Sequence, residues 1–430
     1  MKKHIARIPG LVIIEHELVV PLDYSDPKGS KIKIFAREVV APKKENEPLP
    51  WLVFLQGGPG FPSPRPELNS GWLKRALEEY RVLLLDQRGT GMSTPVLSQT
   101  LRTFPTAESQ AKYLSLFRSD SIVHDLEVIR KELLGYEQTW SVLGQSYGGF
   151  CALNYMSSAS EGLSEVMMTG GLPPLNLHPD DIYRKTYSRV IQRNHEYYLR
   201  YPHDEKLIHR IVDHITDTEV YLPNGDSLTP RRLQQVGIAF GMENGYEQVH
   251  YLLEGAFVQG YSDSELSYPF LNAVQNFLTF DTNPIYALLH EAIYCQSVSS
   301  DWSAERVLAE FPEFTIKAND RFYFTGEMIF PWMFSEYGQL KPLRSAADIL
   351  AKYEDWPVLY DPSVLKKNQV PCAAAIYYDD MYVERQFSEE TAAQIGSMKP
   401  WITNQYEHSA LRLHGREILD HLLGLLHGEL

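Results

Sequence analysis

Apolar and polar positions alternate over residues 11–20 and 31–40, which predicts two antiparallel strands near the start of the chain. Three near-continuous apolar runs follow at 51–55, 81–85 and 139–143, with helical patterns between the last two, and 165–169 reads as the next strand. Short, largely apolar strands separated by helices predict a parallel sheet covered on both faces. Near Pro173 and Pro174 the pattern changes. From 175 to 347 it is mostly helical and rich in Tyr, Glu, Gln and His, with helices expected over 181–201, 230–257, 268–278 and 284–297. Strand patterns return at 370–378 and 399–403, and an amphipathic helix over 415–426 closes the chain. The fold class read from this is α/β, a doubly wound and mostly parallel sheet with an inserted helical cap. The expected divisions are 1–175 for the first part of the core, 176–347 for the insertion and 348–430 for the second part. No internal repeat or low-complexity segment interrupts the pattern.

Composition sharpens this in three places. A length of 430 residues exceeds one ordinary domain, and 44% hydrophobic residues with 12% aromatics allow a sizeable core. Residues 1–9 carry charge without a long apolar stretch behind it, and no run approaches membrane-spanning length, so neither secretion nor membrane insertion is expected. The three cysteines, Cys151, Cys295 and Cys372, lack metal-ligand spacing and point to a reducing compartment, the cytoplasm. A formal charge of −15 argues against a nucleic-acid partner. Neither a metal nor an organic cofactor is expected.

The chemistry gathers at strand ends. Gly144-Gln-Ser146-Tyr-Gly148 stands between the strand at 139–143 and a helical pattern at 149–156. A strand that turns sharply into a helix at G-x-S-x-G holds its serine exposed and strained. Gln56-Gly-Gly-Pro-Gly60 follows another strand, and its glycines let main-chain N–H groups of Gly57 and Gly58 face a developing oxyanion, with the N–H of Tyr147 as the other donor. Asp86 and Arg88, after a third strand, are expected to order their loop through ion pairs. A serine hydroxyl needs a base, and the base an orienting carboxylate. In this architecture they follow in the order serine, acid, histidine. Asp379-Asp380 follows the strand at 370–378, and His408 follows the one at 399–403, both at C-terminal strand ends. Asp380 lies nearer the loop and is favoured over Asp379. His414, His421 and His427 fall on or beside the closing helix and are weaker choices than His408.

In this order Gly57–Gly60, Asp86–Gly89 with Gly91 and Ser93, Arg118–Asp125 and Gly144–Gly149 make the chain resemble the proline iminopeptidases. These are serine peptidases of the α/β-hydrolase class, and the length and helical middle resemble their longer-chain group. Two departures stand out. Gln56 replaces a histidine usual in shorter members, and Tyr377-Tyr-Asp-Asp380-Met replaces a Gly-Arg-Tyr-Asp-like stretch, which leaves the aspartate open by one residue. The resemblance implies cleavage of peptide substrates with a free N-terminal proline. That requires an apolar slot for the pyrrolidine and carboxylates for its charged imino group. Residues 286–294 resemble the family's cap helix that carries one such glutamate, here Glu291. Glu254 is the choice for a second, with Glu243 and Glu327 behind it. Cys295, one helical turn after Glu291, is expected beside the cleft, and Cys151 and Cys372 in the interior. The rival reading is an esterase, lactonase or amidase with the same triad. A hydrolase fold used only for binding would show a damaged triad or oxyanion loop. Oligomeric state is left open.

Overall fold

In the computed structural model, which describes residues 4–258, 260, 262–317 and 320–430, nine strands build one sheet. Met1–Lys3, where the charged N-terminal stretch begins, lie outside the described residues. The first seven strands are β1 (Ile5–Ile8), β2 (Leu11–Pro21), β3 (Lys31–Val40), β4 (Trp51–Leu55), β5 (Arg81–Asp86), β6 (Trp140–Gln145) and β7 (Leu163–Thr169). A two-stranded ribbon of β8 (Phe257–Val258) and β9 (Ser262–Leu266) stands apart, and β10 (Cys372–Tyr377) and β11 (Met398–Thr403) complete the sheet. The order is β1-β2-β3-β5-β4-β6-β7-β10-β11. Pairings from β1 through β3 to β5 are antiparallel, and those from β5 onward are parallel.

The side-chain period of a strand divides the core into two layers. Val53 and Leu55 of β4 face the layer that includes helices Ser119–Leu134 and Tyr147–Ser158, whereas Leu52 and Phe54 face helices Gly71–Ala76 and Gly415–His427. With helices on both sides, β6 is buried at every position, which is why its sequence reads as apolar and small rather than alternating.

Between β7 and β10 the chain is largely helical, but in shorter pieces than its pattern suggests. The longest helix is Pro179–Arg200, and Tyr268–Phe277 follows its pattern closely. The single helix expected over 230–257 is instead Pro230–Gln234, a 3₁₀ stretch Gln235–Gly241, and Gly245–Glu254, with glycines bounding the break. The helix expected over 284–297 ends at Leu289 and tightens into a 3₁₀ turn, Glu291–Tyr294. Among the described residues no helix is long and apolar enough to cross a membrane.

Candidate active site

Ser146 sits at the end of β6 with φ 55° and ψ −126°, a backbone conformation that side chains other than glycine's seldom adopt. Its N–H donates to the Thr169 carbonyl at 3.0 Å, and its own carbonyl accepts from the Gly149 N–H at 2.7 Å. The sharp turn requires the following helix to pass very close to β4. At Gly148 an added Cβ would lie 1.9 Å from the Leu55 carbonyl oxygen, so no side chain fits there. Gly57 approaches the serine just as closely, since a Cβ on it would lie 2.8 Å from the Ser146 Cβ. Gly57, Gly58, Ser146 and His408 all line one cavity of about 440 Å³. Tyr147 is the first residue of the helix behind the serine, with its side chain buried.

The two loops that follow β10 and β11 meet at this cavity. Asp380 Oδ2 and His408 Nδ1 are 2.8 Å apart, and Asp380 Oδ1 accepts from the N–H groups of Tyr382 and Val383 at 2.9 and 3.0 Å. Three hydrogen bonds thus hold a carboxylate that is 1% exposed. Asp379 turns the other way and accepts from Arg189 at 3.1 Å. The Tyr382 ring packs against the His408 ring at 4.6 Å between centroids. The other histidines are engaged elsewhere: His414 with Glu243, His421 against Trp401 and His427 with Glu165.

Asp86 and Arg88 order the neighbouring loop, though not with each other. Asp86 accepts from Arg65 at 2.7 Å, from the Ser63 N–H at 3.1 Å and from the Met92 N–H at 2.9 Å. Arg88 makes a bidentate pair with Asp125 at 2.7 and 2.8 Å, and its other N–H groups reach the Leu22 and Leu116 carbonyls. Two motifs far apart in sequence are therefore one buried ion pair.

The glutamates differ from expectation. Glu254 is exposed at the end of helix Gly245–Glu254 and does not line the cavity. Glu291 does not line it either. Because the helix tightens after Leu289, the Glu291 carboxylate is turned into the protein, where it accepts the Ala304 N–H at 2.8 Å. Burial there pushes its pKa up to about 7. Glu243 accepts the Glu407 N–H at 2.9 Å, outside the cavity. Glu327 is the carboxylate that faces the cavity. Its side chain is 13% exposed, and it accepts from the Tyr286 hydroxyl at 3.2 Å. Burial, reinforced by the charge of Asp380, holds its carboxyl well above the usual range. His290 lies 3.8 Å away but offers no counter-charge, because its own burial lowers its pKa to about 3. Glu327 lies in the non-helical stretch 321–329, where no periodicity marks which side chains point inward. Cys295 is also displaced from expectation. It is fully buried, with its thiol against the Glu291 carbonyl, and Cys151 and Cys372 are buried too. Among the described residues no three His, Cys, Asp or Glu side chains converge as a metal site.

Residues 50–212 match the model of the alpha/beta hydrolase fold. The chain is 46% identical over 419 residues to a proline iminopeptidase of Aeromonas sobria, covering 97% of both. It is 35% identical over 418 residues to the proline iminopeptidase aneH of Aspergillus aculeatus, covering 96% of this chain and 93% of that one. Among solved structures it is similar to a proline iminopeptidase of Mycobacterium smegmatis, with a TM-score of 0.44 and 14% identity over 96% and 98% of the two chains. On the two sequence relatives, which run alongside this chain almost from end to end, it belongs to the proline iminopeptidase family of α/β-hydrolases.

Proposed function

We propose that this chain is a serine aminopeptidase that releases proline from the free N-terminus of peptides. Family membership supports the reading. The observation that carries it is Glu327, a largely enclosed carboxyl without a cationic partner among the described residues, in the same cavity as Ser146 and His408. A general esterase has no use for such a group, whereas a protonated imino nitrogen entering a desolvated pocket requires one.

In this reading Asp380 fixes the His408 ring with Nδ1 protonated, leaving Nε2 as the base. His408 takes the Ser146 proton as the hydroxyl oxygen attacks the prolyl carbonyl. Main-chain N–H groups of Tyr147 and of the Gly57–Gly58 turn receive the oxyanion. His408 then returns the proton to the departing amine, and the C–N bond breaks to leave a prolyl ester on Ser146. Water, deprotonated by the same histidine, hydrolyses that ester and frees proline. Selectivity comes from other residues of the same cavity lining. Glu327 takes the place expected of Glu291 and Glu254, and Tyr286 and Phe280 offer apolar walls for the pyrrolidine. Three free, buried thiols suit a reducing compartment, and the cytoplasm is the one we infer.

Hydrolysis of Pro-naphthylamide, N-acetyl-Pro-naphthylamide and a simple acyl ester tests the proposal. The free imino substrate should be cleaved far faster than the acetylated one. Comparable rates on both, or preference for the ester, would favour the esterase reading.

A further inference from the structure

Among the described residues that line the catalytic cavity, one carboxylate and one permanent cation stand out: Glu327 and Arg412. They do not pair with each other. Glu327 is bonded to Tyr286 beside His290, and among the described residues no carboxylate pairs with Arg412. Arg412 is solvent-exposed where it lines the cavity, which leaves its guanidinium open to an incoming anion, on a chain of net charge −15 where carboxylates outnumber cations 55 to 40. Most arginines near the site are already paired: Arg65 with Asp86, Arg189 with Glu384 and Arg193 with Glu407.

The order of these groups follows the chemistry. In the mechanism above the imino nitrogen goes to Glu327 and the scissile carbonyl to Ser146. The departing nitrogen must lie against His408, which gives it a proton. Arg412 stands four residues beyond His408, on the short helix Ala410–Leu413 that continues from the same loop. In the arrangement we infer, its guanidinium serves the leaving-group side. When the leaving group is a single amino acid, its carboxylate is separated from the departing nitrogen by one carbon only. A carboxylate so placed comes within reach of the base loop and the guanidinium beyond it. A cavity of about 440 Å³ is at the small end for ligand sites and suits a dipeptide.

Resting on the proposed activity, we infer that Arg412 forms a subsite for the C-terminal carboxylate of dipeptides of the Pro-Xaa type. The cavity lining then offers both charges a zwitterion needs, an anion in Glu327 and a cation in Arg412. Arg412 touches only the part of the substrate that departs, so it determines specificity and takes no part in the proton transfers. A charge-assisted, geometrically matched guanidinium–carboxylate contact gives a preference of about tenfold or more at low salt.

The test compares kcat/KM for Pro-Ala, its C-terminal amide Pro-Ala-NH₂ and Pro-naphthylamide, in wild type and Arg412→Gln. Wild type should prefer the free acid over the amide by about tenfold, and Arg412→Gln should bring the two within about twofold of each other. Whatever the substitution does to Pro-Ala-NH₂ it should do equally to Pro-naphthylamide, the extra loss being confined to the free acid. Equal rates on acid and amide in wild type, or a ratio that survives Arg412→Gln, would overturn the subsite while Pro-naphthylamide hydrolysis left the proposed activity standing. Absence of Pro-naphthylamide hydrolysis in wild type would overturn both.

Discussion

Arg193 donates to both carboxylate oxygens of Glu407 and, with the same guanidinium, to the main-chain carbonyl of Asp379. It is 4% exposed and comes from helix Pro179–Arg200, so a helix outside the sheet grips the residues immediately before Asp380 and before His408. Glu407 is itself largely enclosed, and burial pushes its pKa up to about 6 despite the arginine. Arg193→Met should therefore lower kcat by tens of fold with a smaller change in KM, because it loosens two loops that act together on one proton. Covalent labelling of Ser146 by a small fluorophosphonate should slow in parallel. The melting temperature should fall as well, since Glu407 loses its charge-assisted partner in a half-buried setting. Unchanged labelling would assign Arg193 a purely structural role.

The two adjacent aspartates separate cleanly. Asp380→Asn should lower kcat by about 10⁴-fold by stabilising the wrong tautomer of His408. Asp379→Asn removes a half-exposed partner of Arg189 and should cost less than about tenfold. Steady-state kinetics on Pro-naphthylamide decides between them, and equal losses would leave the orienting carboxylate unassigned.

Glu327 and Glu291 should respond in opposite ways. Glu327→Gln should depress kcat/KM for Pro-naphthylamide by about 10²-fold or more while sparing phosphonate labelling, since only the cationic substrate needs the anion. Glu291→Gln should leave that selectivity intact and act on stability. The Glu291 carboxyl is near pKa 7 in the fold against 4.5 for an ordinary glutamate. As pH rises from 4.5 to 7 the unfolded chain ionises there and the folded chain resists, so wild type loses stability relative to the Gln variant. The loss approaches about 3 kcal/mol by pH 8, measurable as diverging urea midpoints.

The same reasoning gives a pH dependence for substrate binding. With its pKa held high, Glu327 is neutral at pH values where ordinary glutamates are charged. It must ionise to pair with the imino cation. kcat/KM for Pro-naphthylamide should accordingly rise with pH through a limb that phosphonate labelling does not share and that Glu327→Gln abolishes. Coincident profiles for the two probes would remove Glu327 from binding.

Thiol reagents provide a further check. Burial pushes both Cys295 and Cys372 up to about 12 and raises Cys151 also. Native protein should react slowly with a bulky aromatic disulfide and keep its activity, all three thiols appearing only in denaturant. Rapid inhibition that Cys295→Ser removes would restore this thiol to the cleft.

The strands that carry the site are legible because residues that end them bracket them, whereas β1, four residues long and half exposed, is not expected from the pattern. The run at 51–55 stops at a glycine-rich turn, and the run at 139–143 ends in the G-x-S-x-G elbow, so Ser146, Gly57 and His408 could be named from their places after strands. The region between β7 and β10 was less legible. There Glu291 rests on the resemblance of 286–294 to the family's cap helix, and one turn of 3₁₀ geometry turns its carboxylate away from the cavity. Glu327 sits beside Thr325 and Gly326 in a stretch held by long-range contacts such as the Thr325 N–H to the Gln234 carbonyl. Periodicity carries no information about such a stretch. No motif marks Arg193, and only the fold brings its helix to the catalytic loops.

The left-handed backbone at Ser146 opposes activity to stability. Holding a serine at φ 55° costs about 1–3 kcal/mol that the rest of the fold must supply. Glycine would relieve that cost, less part of it recovered by its freer unfolded chain. Ser146→Gly should therefore yield a protein that melts later than wild type and catalyses nothing. The elbow therefore sets turnover against folding at a single residue, where the side chain that does the chemistry is the one that strains the backbone.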